Sequence, residues 1–140
     1  MTEAQATTAI FEWWKAQWAI LHPSDVPYTF DNEAFTSVSK WARVALGGFV
    51  RNQTSLGPPG TRRYEARGNI GIQLFSDVDK GALELAALAD DVRKVYESVL
   101  IPVSAGDNVN TYAGSTRPVT TDGRWNMSLV VVPFSFYEQR

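Results

Sequence analysis

Apolar residues recur along the first part of the chain with helical spacing. Ile10, Phe11, Trp14, Trp18 and Leu21 fall at i, i+1, i+4, i+8 and i+11, one stripe of a helix predicted over residues 3–21. Trp13 and Ile20 lie beside the stripe and widen it. His22-Pro23 ends it, because proline disfavours the α conformation in the residue before it. Three tryptophans in six residues fit a packed core, with Trp13 also placed to touch a partner. Val26 to Phe30 reads as a short extended piece bracketed by Pro27 and Asp31-Asn32.

The period then changes from helical to two. Val38 to Val50 reads as a strand, with Val38, Lys40, Ala42, Val44 and Leu46 on one side and Trp41, Arg43, Ala45 and Phe49 on the other. Gly47-Gly48 marks a bulge or bend in it. Arg51 to Arg62 is a loop around Leu56-Gly57-Pro58-Pro59-Gly60, which can hold neither strand nor helix. From Arg63 to Phe75 the alternation is nearly unbroken. Tyr64, Ala66, Gly68, Ile70, Ile72 and Leu74 point one way, and Arg63, Glu65, Arg67, Asn69 and Gln73 the other. The two strands make a long hairpin.

Ser76 to Asp79 supplies capping residues for a second helix running to about Ser98, whose buried stripe is Leu85, Leu88, Ala89, Val92, Tyr96 and Val99. Pro102 stops it. Residues 103–124 are rich in Gly, Ser, Thr, Asn and Asp and read as a long mobile loop holding one strand at Val109 to Tyr112. Trp125 to Tyr137 is a last strand that is apolar on both faces: Val130, Val132, Phe134 and Phe136 on one, Met127, Leu129 and Val131 on the other. Such a strand is covered on both sides, by another element or another chain. The expected fold is α+β, a single domain over residues 1–140 with an antiparallel sheet and two helices packed on one face. The other face carries Trp41, Arg43, Arg63, Glu65, Arg67 and Gln73, a mixed surface of the kind a partner covers.

Composition narrows the chemistry. At 140 residues the chain fits one domain with a core of its own. It has no cysteine and one histidine, which excludes disulfide frameworks, thiolate zinc sites and sites with several histidines from one chain. A formal net charge of −2 removes any wholesale electrostatic case for nucleic acid. The longest apolar run, Leu129 to Phe134, is far below the ~18 residues of a spanning helix. The polar start of the chain is unlike a signal peptide, so an intracellular origin is expected.

No catalytic constellation stands out. Asp77-Val-Asp79-Lys-Gly81 begins like a calcium loop, but the positions needing Gly and Glu hold Ala82 and Leu88, so helix capping is the better reading. Gly57-Pro-Pro-Gly60 lacks the Lys and the spacing of a phosphate loop. His22 sits at a helix end with no evident partner and reads as a surface histidine. Basic residues do gather: Arg51, Arg62, Arg63 and Arg67 flank the hairpin loop, Arg43 lies on the neighbouring strand, and Glu65 stands among them. A solvated tip and a charged contact both fit that cluster.

The order of these pieces resembles a known family. A helix ending in Pro is followed by "VPYTFDNEAF", then "KWARVAL", a tip loop, "RRYEARGNIGIQLFSDVDKG" leading into "ALELAALADDVRKVYES", and a last strand "RWNMSLVVVPFSF". Over roughly residues 8–137 this is similar to the tail terminator proteins of long-tailed bacteriophages. The stretch from Arg63 to Asp91 carries most of the likeness. The resemblance implies a structural virion protein with no cofactor and no enzymatic activity. It implies a homohexameric ring that sits on the tail tube protein, stops tube growth and offers a surface to the head-tail connector protein. DNA passes through the hole only incidentally, and no membrane is involved. The implied home is the neck region of the virion, after synthesis in the host cytoplasm. Another neck or tail-tube subunit, or a small α+β enzyme or ligand-binding domain, are the alternatives. Within the ring reading, Arg43, Arg62, Arg63, Glu65 and Arg67 are the expected subunit or tube interface. The alternating signs of Arg63, Glu65 and Arg67 suit a complementary protein surface better than a row of phosphates.

Overall fold

Helix α1 runs Glu3–Leu21 in the computed structural model, which describes residues 1–30, 40–77, 82–104, 106–117, 120–123 and 125–139. Its bounds are those the spacing predicts. Thr2 closes the N-terminus with a reciprocal pair: the Gln5 N–H donates to Thr2 Oγ1 (3.2 Å) and the Thr2 N–H to Gln5 Oε1 (2.8 Å). The buried stripe is Ala6, Ile10, Trp14 and Trp18. Leu21 and Ile20 are exposed, against expectation. The end of the stripe is covered instead by His22, whose ring lies on Trp18 (4.5 Å), and by the buried Val26, whose carbonyl accepts from the Trp18 indole (3.1 Å).

The strands are β1 (Tyr28–Phe30), β2 (Trp41–Gln53) and β3 (Arg63–Asp77), then β4 (Leu100–Ser104), β5 (Asp107–Thr111), β6 (Ser115–Thr116), β7 (Thr120–Asp122) and β8 (Trp125–Gln139). They form one sheet in the order β1-β2-β3-β8-β5-β4, with β6 and β7 also on β8. Every pairing is antiparallel except β1 with β2. The α+β reading fits this mostly antiparallel sheet with its two helices. Position Val38, at the expected start of the second strand, lies outside the described residues.

Even-numbered positions of β3 and β8 face the core, as the alternation predicts: Ala66, Ile70, Ile72 and Leu74 with Val130, Val132, Phe134 and Phe136. Helix α2 (Ala82–Tyr96) adds Leu85, Leu88, Ala89, Val92, Val95 and Tyr96, and all of these join α1 in one cluster. Each large side chain so buried contributes roughly 1.5–3 kcal/mol. Polar ties hold the helices in register. The Trp13 indole donates to the Val95 carbonyl (2.8 Å) and the Tyr96 hydroxyl to the Ile10 carbonyl (2.7 Å). Trp13 thus packs within the fold while staying half-exposed. Burial pushes the Tyr96 phenol well above its ordinary value.

Four expectations are corrected. Strand β2 continues to Gln53, so the tip loop begins at Thr54. Ser76 and Asp77 end β3 rather than cap α2, because they remain paired to Asn126 and Trp125; Asp79 lies outside the described residues. Pro102 sits inside β4, an edge strand. Its partner Asn108 flanks the bonded position Val109, so the missing N–H of Pro102 points away from β5, where proline costs the ladder nothing. The polar stretch 103–124 is not one loop: β5, β6 and β7 pair in turn along the edge of β8. Ladders are made by backbone groups, which polar residues supply as well as apolar ones.

The bulge expected at Gly47-Gly48 is present as a register shift between Gly47 and Val50, with Gly48 at φ 72°. It reverses the facing of the strand beyond it. Phe49 crosses to the core side, its ring 5.6 Å from that of Phe134. Nearby, Gly68 lies directly beneath Phe134. A Cβ there would stand 2.9 Å from Phe134 Cζ and 3.0 Å from the Gly47 carbonyl. Gly68→Ala is therefore expected to destabilise by about 1–3 kcal/mol, read as a lower urea midpoint at unchanged slope. Gly71→Ala, whose nearest neighbour would be 3.8 Å away, should stay within about 0.5 kcal/mol of wild type.

Candidate assembly surface

The pairing register fixes what the face opposite the core carries. Arg43 lies beside Gln73 and Leu129, Arg67 beside Ser135, Glu65 beside Tyr137, and Arg63 beside Gln139. The five residues expected as an interface are thus split. Gln73 and Arg63 stand ten residues apart on β3, which at ~3.3 Å per residue separates Arg43 from the Arg63 end by roughly 33 Å. Arg63, Glu65 and Arg67 do share one side of one strand. Arg62 sits in the tip loop next to them.

Each arginine is held differently. The Arg63 guanidinium lies 3.9 Å over the Tyr137 ring. Arg67 Nε donates to Glu65 Oε1, and this bond holds the Arg67 guanidinium above its ordinary value. Arg62 Nε donates to the Gly57 carbonyl (2.8 Å) and so braces the tip. Arg43 stacks 5.1 Å from Trp41, with a buried Nε that has no hydrogen-bond partner among the described residues. Arg51 leaves the group altogether. The bulge turns it to the helix side, where it bonds Glu3 and Glu138 (Nε 3.1 Å) and ties the start of α1 to the end of β8.

Two tyrosines outside the expected set belong to this end of the face. Tyr137 lies under Arg63, and the Tyr112 hydroxyl meets Ser135 Oγ at 2.7 Å. Both rings are partly exposed, as is Val50 beside Arg67. Tyrosine and arginine are the residue types that dominate protein interfaces. The alternation did carry a signal for Tyr137, which shares the parity of Leu129 and Val131.

His22 is also corrected. Its side chain is 12% exposed, with Nδ1 3.0 Å from Asp25 Oδ2 and Nε2 2.7 Å from Asp91 Oδ2. Lys94 lies 3.6 Å from the other Asp91 oxygen. Both ring nitrogens are engaged, so the imidazole fastens the end of α1 to α2. Among the described residues no group of three His, Asp or Glu converges as a metal site, and no helix is long and apolar enough to cross a membrane.

A groove of about 640 Å³ runs between α1 and β4. Ala4, Thr8, Ala9, Trp13, Ile101 and Pro102 line it, and Glu12 is the charged side chain among its described lining residues.

No family model matches this chain, and no curated protein sequence matches it. Solved structures do share its fold. One is a protein designated by a sequence identifier alone: it is 17% identical, with 97% of this chain and 96% of that chain covered and a TM-score of 0.71. Another is a chain of the virion of a native gene transfer agent particle, 12% identical, covering 94% and 93%, with a TM-score of 0.59.

The His22 contacts generate a pH prediction. The hydrogen bond from His22 holds the Asp25 carboxyl below its ordinary 3.8. A carboxyl depressed on folding adds stability that is present above its unfolded value and lost as pH falls through the folded one. Wild type should therefore exceed Asp25→Asn in stability near pH 5, and the gap should close as pH falls below 3.8, in urea unfolding series. In a His22→Ala background the gap should be small at every pH.

Proposed function

We propose that this chain is a structural virion protein of the tail-terminator kind. It closes into a homohexameric ring on the tail tube, stops tube growth and presents a joining surface to the head connector. The observation that carries the reading is the likeness, over 94% of the chain, to a chain from a gene transfer agent virion. The order of sequence motifs agrees with it.

In this reading the protein has no catalytic role and no cofactor, and it resides in the neck of the virion. The two helices cover one face of the sheet, and the opposite face is left for assembly. Arg63, Glu65 and Arg67, with Tyr137 beneath Arg63, meet a neighbouring protein subunit. The Glu65–Arg67 pair interrupts any positive row, so passing DNA is a secondary contact. Arg62 and Arg43 lie at other points of the same assembly surface. Ring closure needs head-to-tail contacts, because identical subunits around an axis present two different surfaces.

Light scattering across a concentration series, with electron microscopy of purified tail tubes, tests this. Closed six-membered rings capping tubes are expected. A protein that stays monomeric at all concentrations and on tubes overturns the reading, and open tubes built from the chain itself would make it a tube subunit. Reversal of Arg63 and Arg67 to Glu should abolish or strongly weaken assembly. The free protein's thermal midpoint should move little, since exposed substitutions usually stay within about 0.5 kcal/mol. Normal assembly of that double variant, or a defect confined to DNA retention, contradicts the subunit-contact assignment.

A further inference from the structure

Among the described residues the most exposed large apolar side chain is Leu56, at 93%, and it stands on the tip of the β2–β3 hairpin. That tip is braced although it projects. The Thr61 hydroxyl donates to the Pro58 carbonyl (2.8 Å), the Arg62 Nε to the Gly57 carbonyl (2.8 Å), and the Arg63 N–H to Ser55 Oγ (2.9 Å). Two consecutive prolines limit its freedom further. A leucine held out on a stiff loop loses little entropy when it is buried by a partner.

The same chain carries a matching socket. The groove between α1 and β4 is lined by the small residues Ala4, Thr8 and Ala9 and by Trp13, Ile101 and Pro102. Strand addition to β4 is not its use, because Pro102 places a ring where an incoming strand needs an N–H. A side-chain knob fits where a strand does not. Charge agrees as well. From Thr54 to Arg63 the tip holds Arg62 and Arg63 and no acid, while the described residues lining the groove include Glu12 and no base. Glu12 also meets Lys15 at 3.2 Å, an exposed i,i+3 pair of little worth that a guanidinium can displace. Finally, hairpin and groove are different surfaces: β4 ends the strand order away from β2 and β3, although Arg51 of β2 bonds Glu3 beside the groove.

We infer that the hairpin tip of one copy seats in the α1–β4 groove of the next, with Leu56 against its apolar lining and Arg62 toward Glu12. This rests on the proposed ring and names its closing contact. Knob and socket are different surfaces of one chain, which is the requirement for a head-to-tail contact.

The absence of cysteine makes covalent trapping clean. Leu56→Cys and Thr8→Cys, both exposed positions, are made in separate chains, mixed at a concentration where wild type associates, and oxidised. Mixed dimers are expected, with few homodimers of either. A chain carrying both cysteines should give a ladder that ends at the ring size. Without oxidation, Leu56→Asp and Thr8→Trp, which fills the groove, should each raise the concentration needed for association by about tenfold to a hundredfold. If wild type forms rings, yet no mixed dimer forms and Leu56→Asp assembles like wild type, this inference fails while the terminator reading stands. If wild type never associates, in solution or on tubes, both fail. If Leu56→Asp still forms rings but no longer caps tubes, the tip serves the tube protein, and the groove assignment is wrong.

Discussion

The pairing of β3 with β8 is the constraint on which the rest of the fold hangs. The two strands run antiparallel from Arg63 opposite Gln139 to Asp77 opposite Trp125 without a break in register. Side-chain facing has a period of two, so this unbroken ladder assigns every residue of both strands to a face. Ile70, Ile72, Val130 and Val132 go to the core together, and Arg67, Glu65 and Tyr137 go together to the other side. A slip of one residue would bury the charges and expose the aliphatic rows. Strand β2 keeps the same facing only as far as Gly47. There the bulge reverses it, and this single irregularity sends Phe49 into the core and Arg51 to its carboxylates.

The features legible in the sequence are the local ones. Helix α1 is bounded by Thr2 and His22, both within a turn of its ends, so its limits can be read directly. The alternation from Arg63 onward is a local pattern too, and so is the paired glycine that marks the bulge. The illegible features depend on distant partners. Of the two carboxylates that engage His22, Asp25 is three residues away, but Asp91, which ties it to the other helix, lies 69 residues away. The 103–124 stretch looks like loop by composition, yet it forms strands because β8 offers it an unpaired edge. Arg51 reads as one of a basic group when sequence proximity is the only measure, and its facing is set by a shift in register just before it. The residues expected as an interface are chosen by type and parity, and the register divides them between two ends of a long face.

The two-faced character of β8 has a partial answer within the chain. β5, β6 and β7 lie beside β8, not over it, so they satisfy its backbone and leave Met127, Leu129 and Val131 half-buried. Across the middle of that face the register aligns Ala45, Gly71, Val131 and Ser115 on four adjacent strands. These side chains are small or short, so the centre of the face is smooth and lets another surface come close to the backbone. At its two ends stand arginines stacked on rings, Arg43 on Trp41 and Arg63 on Tyr137. Stacking fixes a guanidinium in one orientation before any contact is made, so less freedom is lost when a partner arrives. Under the proposed assembly, a smooth middle would give reach and the oriented ends register. The sheet edges are arranged to the same effect. Proline guards β4, and on the other side β1 covers β2 over Ala42–Val44 while a bulge bends β2 beyond it, both devices that discourage unplanned strand pairing. With edge pairing discouraged at both strands, the proposed assembly would draw its specificity from side chains, and the exposed face carries aromatic and basic ones.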